Sequence, residues 1–271
     1  MLLTDKLAVV TGIGPGMGRD ISLGLAAEGA DVVLVGRSDR HMPSVAAEIE
    51  ALGRRAWSFQ ANVTHRDQCD ALAEFIRTEV GSDHLDILVN SAFHAGEFVP
   101  FAEADLDRWR RPLDVNFFGT LQMTQALLPL LRAAGEGPEA DARIVMVNTM
   151  SVQHIEANYG SYTGSKSALA GVTKTLAREL GAYGIRVNAV HPGYIWGDSV
   201  KIYFEMQATE RNDGSTWEDV YAERAKETAL GYLPHSSEIS GAVVFFASPL
   251  AKCVTGTALP VNAGHWMPPS A

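Results

Sequence analysis

The sequence predicts an α/β domain built as a doubly wound parallel sheet of about seven strands with helices on both faces. Short β-branched runs alternate with longer segments of helical period along most of the chain. The first six of these runs are nearly unbroken apolar, as strands covered on both sides require. With 271 residues, 46% of them hydrophobic, the chain can bury one large core, so a single domain spanning residues 1–271 is expected.

Taken in order, the strands are expected at Leu7–Thr11, Asp31–Val35, Ala56–Gln60, Ile87–Asn90, Arg143–Asn148, Arg186–His191 and Ala258–Val261. Between them apolar residues recur at three- and four-residue spacing, as in Ala71, Leu72, Phe75 and Ile76 after a helix start expected at Thr64. Right-handed crossovers between such strands give the Rossmann-like arrangement, whose ligand crevice lies beyond the carboxyl ends of the strands. Any chemistry is therefore expected at strand ends. From Trp196 to about Tyr232 the pattern changes, with Tyr203, Phe204, Met206, Trp217 and Tyr221 spread among Glu, Asp and Asn. Residues 194–232 read as a helical substrate lid or, equally, as a surface hairpin whose aromatics pack on the body.

The charge balance excludes some partners. Lys and Arg number 22 against 32 Asp and Glu, and a net charge of -10 repels both phosphate backbones and anionic membrane surfaces. Neither nucleic acid nor a membrane is expected. No apolar run nears the roughly 18 residues of a membrane span. The opening MLLTDKLAVVTG runs directly into the first strand without a basic leader, so a cytoplasmic chain is expected. Cys69 and Cys253 lie far apart outside any Cys/His cluster and read as reduced thiols, and the histidines have no ligand spacing, so no metal is expected.

Two motifs carry chemistry. After the first strand comes Thr11-Gly12-Ile13-Gly14-Pro15-Gly16-Met17-Gly18, where glycines let the backbone turn tightly and approach a diphosphate at a helix start. The spacing is TGxxxGxG rather than GxGxxG, since Arg19 stands where the latter needs a glycine. Further on, Tyr162 and Lys166 fall four apart on one face of a helical stretch, bringing an ammonium near a phenol. A tyrosine ordinarily ionises near pH 10, and a neighbouring cation favours the phenolate that acid/base work near neutrality needs.

The order of Thr11–Gly18, Asn90-Ser91-Ala92, Asn116, Ser151, Tyr162 with Lys166, and Pro192-Gly193 resembles the short-chain dehydrogenase/reductase family from Leu7 to Gly264. The resemblance implies hydride transfer between a nicotinamide dinucleotide and a carbinol or carbonyl carbon. It implies that Tyr162 is the acid/base, that Ser151 orients the substrate oxygen, that Lys166 lowers the Tyr162 pKa and binds the nicotinamide ribose, and that Asn116 holds a relay water. It also implies dinucleotide contacts by Gly12, Gly14, Pro15, Gly16, Met17, Gly18, Asn90, Ser91, Ala92, Pro192, Gly193 and Ile195, and an adenine contact by Asn62 and Val63. A homotetramer or homodimer built on helices 104–132 and 162–183 follows as well.

The chain departs from the family pattern at several places. Phe93 stands where the family has Gly, and Gly197 where it often has Thr. Ser151 lies eleven residues before Tyr162, about two fewer than usual, so Thr149 is the match by counting. Ser151 is preferred because Asn148-Thr149-Met150-Ser151 fits the strand-ending Asn-x-x-Ser. At the end of the second strand, Gly36 replaces the acidic residue of an NAD enzyme and Arg37 and Ser38 follow, which favours NADP. NAD is the alternative, with Arg37 stacked on adenine. His94, Val152, His154, Tyr159, Tyr194 and Trp196 are expected to face a small hydrophobic alcohol or ketone. Two rival readings are a non-catalytic dinucleotide sensor and a lyase or epimerase on the same scaffold.

Overall fold

A computed structural model of the chain describes residues 1–136 and 141–267. Its seven strands are β1 (Leu7–Thr11), β2 (Asp31–Gly36), β3 (Ala56–Gln60), β4 (Ile87–Asn90), β5 (Ala142–Val147), β6 (Ile185–Pro192) and β7 (Ala258–Val261). All pair in parallel in the order β3-β2-β1-β4-β5-β6-β7. The order reverses between β1 and β4, and that reversal opens a crevice at their carboxyl ends. The sequence placed all seven strands. β2 runs one residue longer than expected, β5 lies one residue earlier, and β6 extends at both ends.

Side-chain alternation sends successive strand residues to opposite faces. Val9, Val33, Leu88, Ile144 and Val187 meet helices α3 (Arg66–Phe75), α5 (Thr120–Ala134) and α6 (Gly160–Leu180) on one face. Val10, Val32, Leu34, Val145 and Val190 meet α1 (Met17–Ala27), α2 (Met42–Ala51) and α9 (Ser236–Ala247) on the other. The helix expected from Thr64 begins at Arg66 instead. The Asn62 carboxamide oxygen accepts from the Thr64 N–H at 3.2 Å and its hydroxyl at 3.0 Å, which holds a turn there until His65 caps the helix.

Helix α4 (Leu106–Leu113) leads into α5 through a wider, π-type segment, Asp114–Gly119. Such bulges re-aim side chains within otherwise continuous helices, and this one carries Asn116. Residues 198–226 form a hairpin of α7 (Asp198–Arg211) and α8 (Trp217–Lys226), turned by left-handed Asn212 and started by a Thr216/Asp219 capping box. Phe204, Ala208, Val220 and Leu233 give it a small core of its own. Among the described residues no helix is long and apolar enough to cross a membrane, and no group of three or more His, Cys, Asp or Glu is placed to hold a metal ion. Cys69 is buried and Cys253 exposed, both free.

Candidate active site

The glycine loop crosses the end of β4. Gly12 has φ +81°, and a Cβ on it would lie 2.6 Å from the Ala92 backbone, so only glycine fits that crossing. The crossing is stitched by the Thr11 hydroxyl, which accepts from the N–H groups of Ser91 at 3.0 Å and Ala92 at 3.2 Å. A Cβ at Gly18 would meet the Gly12 carbonyl oxygen at 2.4 Å, whereas Gly14 and Gly16 face open space. No side chain caps the amino end of α1 behind Gly16 and Met17. Uncapped helix N–H groups beside a bare, open loop fit a diphosphate. Pro15 lies exposed at the tip of that loop.

Several other predicted contacts are placed differently from one another. The Asn90 side chain turns inward, donating to the Thr124 hydroxyl at 3.0 Å, which leaves its backbone for a ligand. The Asn62 side-chain oxygen is occupied by its turn, its backbone N–H donates to the Gln68 carboxamide oxygen at 2.7 Å, and Val63 is buried against Gly119. Gly193 follows β6 so tightly that a Cβ would come within 2.9 Å of the Asn262 Cβ. Pro192 is buried and Ile195 half-buried at the same strand end. Arg37 and Ser38 are exposed beyond β2, and the Arg37 carbonyl is fixed by the Gln60 amide at 2.9 Å. Arg37 and Asn62 line a cavity of about 410 Å³ there, together with Thr64, His65 and Arg111.

The four predicted catalytic residues meet at the ends of β5 and α6, with corrections. Ser151 does not end β5: the strand stops at Val147, and Ser151 sits in a short helical turn, Met150–Val152, capped by Thr149. The Thr149 hydroxyl accepts from the Ser151 N–H and lies 3.2 Å from the Ser151 hydroxyl. It is also the polar side chain that acts on the Tyr162 phenol. Thr149 thus pairs with Ser151 and comes near the Tyr162 phenol, a place to which the shortened spacing had pointed.

Tyr162 lies in the first turn of α6 and is half-buried. Burial pushes the phenol up to about 12, against a smaller pull from the Thr149 hydroxyl toward the phenolate. Lys166 is one turn on and buried, and burial pushes its ammonium down to about 7. Its Nζ donates to the Val147 carbonyl at 2.7 Å. Spacing places both residues on one helix face, but the short reach to the end of β5 decides where the ammonium points.

Asn116 spans two segments. Its Nδ2 donates to the His94 carbonyl at 2.9 Å and the Ser165 hydroxyl at 2.8 Å, and its Oδ1 accepts from the His94 N–H at 2.7 Å. Both amide hydrogens are committed, so the side chain clamps the segment following β4 onto α6. His191, unforeseen, lies buried at the end of β6, where burial and then Lys166 push it down to about 4. Its Nδ1 pairs with the Gln153 carboxamide oxygen at 2.9 Å, tying the Ser151 turn to that strand.

Of the expected substrate residues, His154, Tyr159 and Tyr194 gather together. The Tyr194 hydroxyl donates to Glu156 at 2.9 Å, and Glu156 also raises the Tyr159 phenol after the larger effect of burial. His265 stacks between His154 and Tyr194, with ring centroids at 5.0 and 5.9 Å. Glu156 and His265 were not anticipated, because nothing in their local sequence marks them. Val152 is half-buried in the turn beside this group. Trp196 stacks on Trp217 at 5.5 Å against the hairpin's small core, on which Tyr194 also packs. His94 is apart: its ring accepts from the Gly96 N–H at 3.0 Å and lies within Coulombic reach of Arg111 and Arg37.

Fold and site together define a dinucleotide-binding scaffold with a phenol, an ammonium and two hydroxyls beyond the carboxyl end of β5. A family model described as enoyl-(acyl carrier protein) reductase matches residues 12–265. The chain is 29% identical to the 7alpha-hydroxysteroid dehydrogenase of Escherichia coli, over 97% of its own length and 94% of that protein's. It is 31% identical to the cyclohexanol dehydrogenase of an Acinetobacter species, over 96% and 95%. The crystal structure of carveol dehydrogenase from Mycobacterium avium in complex with NAD superposes with TM-score 0.88 at 25% identity, covering 97% of this chain and 98% of that one. The chain belongs to the short-chain dehydrogenase/reductase family, whose members here are oxidoreductases of alcohol groups.

Proposed function

We propose that the chain interconverts a hydrophobic secondary alcohol and its ketone, with NADP preferred over NAD. The observation that carries the reading is the half-buried Tyr162 phenol close to the Thr149/Ser151 pair, at the strand end next to an open glycine loop. The dinucleotide, when bound, supplies or accepts the hydride at its nicotinamide. The chain's residues handle the proton and the geometry. Tyr162 gives a proton to the carbonyl oxygen in reduction and takes it from the hydroxyl in oxidation. Thr149 and Ser151 hold that oxygen. Lys166 has N–H groups beyond the one given to Val147 for ribose hydroxyls.

Two relatives are named for ring alcohols, a hydroxysteroid and cyclohexanol, and exposed Phe93 and Phe98 give the rim an apolar character suited to such a substrate. Phe98 packs on Tyr159 at 4.6 Å, joining this rim to the substrate group. The α7–α8 hairpin serves as the lid over it. Gly36 offers no carboxylate to ribose hydroxyls, and Arg37 offers a phosphate-binding fork. Exposed Phe118 and Tyr183, beside α5 and after α6, suit assembly into a dimer or tetramer. A sensor would not need Tyr162 and Lys166, and a lyase or epimerase would leave nicotinamide absorbance unchanged on turnover.

The test is absorbance at 340 nm with NADPH or NADH and a panel of cyclic ketones and alcohols. Turnover is expected with NADPH, and Tyr162→Phe should lose about 10²- to 10⁴-fold of it while dinucleotide binding persists. Full activity in that variant would remove Tyr162 from its role.

A further inference from the structure

We infer that Arg111, on α4, is the second of two guanidiniums that grip a phosphate monoester on the adenosine ribose of the dinucleotide. This rests on the NADP reading above and adds to it a residue from a different element, about which the sequence pattern gave no signal. Arg37, after β2, and Arg111 line the same cavity of about 410 Å³, a size typical of ligand pockets.

Three arginines crowd α4, and they are not alike. Arg108 is held by Glu97 at 2.6 Å and Arg110 by Asp107 at 3.4 Å. Arg111 has no such partner among the described ion pairs, and neither has Arg37, although Asp114 lines the cavity too. In a chain of net charge -10, two exposed guanidiniums that face one cavity outside any described ion pair are a ready site for a dianion. Their convergence has independent support: the proton on His94 is disfavoured first by burial, then by Arg111, then by Arg37, so both cations reach a single ring. Gly36 completes the arrangement, because a carboxylate there would oppose the phosphate and none is present.

The test is calorimetric binding of adenosine 2′,5′-bisphosphate and of adenosine 5′-phosphate to the intact protein, which needs no turnover. Wild type is expected to bind the bisphosphate more tightly. Arg111→Ala should weaken the bisphosphate about ten- to a hundredfold, the loss of one or two charge-assisted hydrogen bonds, and leave the monophosphate unchanged. Arg111→Lys should recover part of the loss as a point charge without the fork. Equal losses for both nucleotides, or none, would overturn the inference. If Arg37→Asp abolishes the preference while Arg111→Ala does not, the NADP reading stands and the role of Arg111 falls. A wild type without any preference would overturn both. Arg111 is exposed, so circular dichroism of the variant should match wild type.

Discussion

Two residues in the site behave in ways their own chemistry does not announce. Thr149 comes near the Tyr162 phenol as well as pairing with Ser151, since the chain enters a helical turn shortly after β5. Steady-state kinetics should therefore find Thr149→Val at least as damaging to kcat as Ser151→Ala, with losses on the order of 10²-fold; a silent Thr149→Val would return the role to Ser151. Lys166 is stored at a cost to stability. Its ammonium is pushed from 10.5 down to about 7 by burial, so between those values the unfolded chain binds more protons and stability rises with pH. The penalty is complete below about 7. Lys166→Met should accordingly raise the urea midpoint at pH 6 by the equivalent of a few kcal/mol, and the gain should shrink toward pH 10 while turnover is lost. A gain that did not change with pH would show that burial of the charge is not its source.

Among the elements, β5 and β6 are joined at their amino ends by an ionic cluster. Asp141 accepts from Arg143 at 2.6 Å and from Arg186 at 2.8 Å, and Arg186 also donates to the Phe246 and Ser248 carbonyls at the carboxyl end of α9. Both arginines are buried. Removing the shared carboxylate leaves two guanidiniums in the interior, so Asp141→Ala should lose about 3–5 kcal/mol in urea unfolding, with dinucleotide affinity retained in the folded fraction. A loss under about 1 kcal/mol would show that water reaches the cluster. The strands themselves were legible because burial on both faces demands unbroken apolar runs. Their limits were less so: side chains such as Asn62 cap turns and move helix starts by a residue or two. The π-type segment around Asn116 had no sequence signal, since it depends on how α4 and α5 pack.

At the scale of the molecule, the glycine loop, Tyr162 and Lys166 could be placed in advance, because each is a local motif whose spacing on a strand end or helix face fixes its position. Trp196 packs on the hairpin core, since aromatic side chains bury against whatever apolar surface the fold brings nearest. Glu156, His265 and Arg111 escaped notice for the complementary reason: each becomes interesting only beside residues distant in the chain. The sequence by itself determined the sheet, the order of its elements and the residue types at the crevice, because hydrophobic period and glycine geometry act over a few residues. Only the tertiary structure decided which hydroxyl faces the phenol, where the buried ammonium points and which arginines stay unpaired. Those outcomes depend on distances between segments far apart along the chain, which no local pattern encodes.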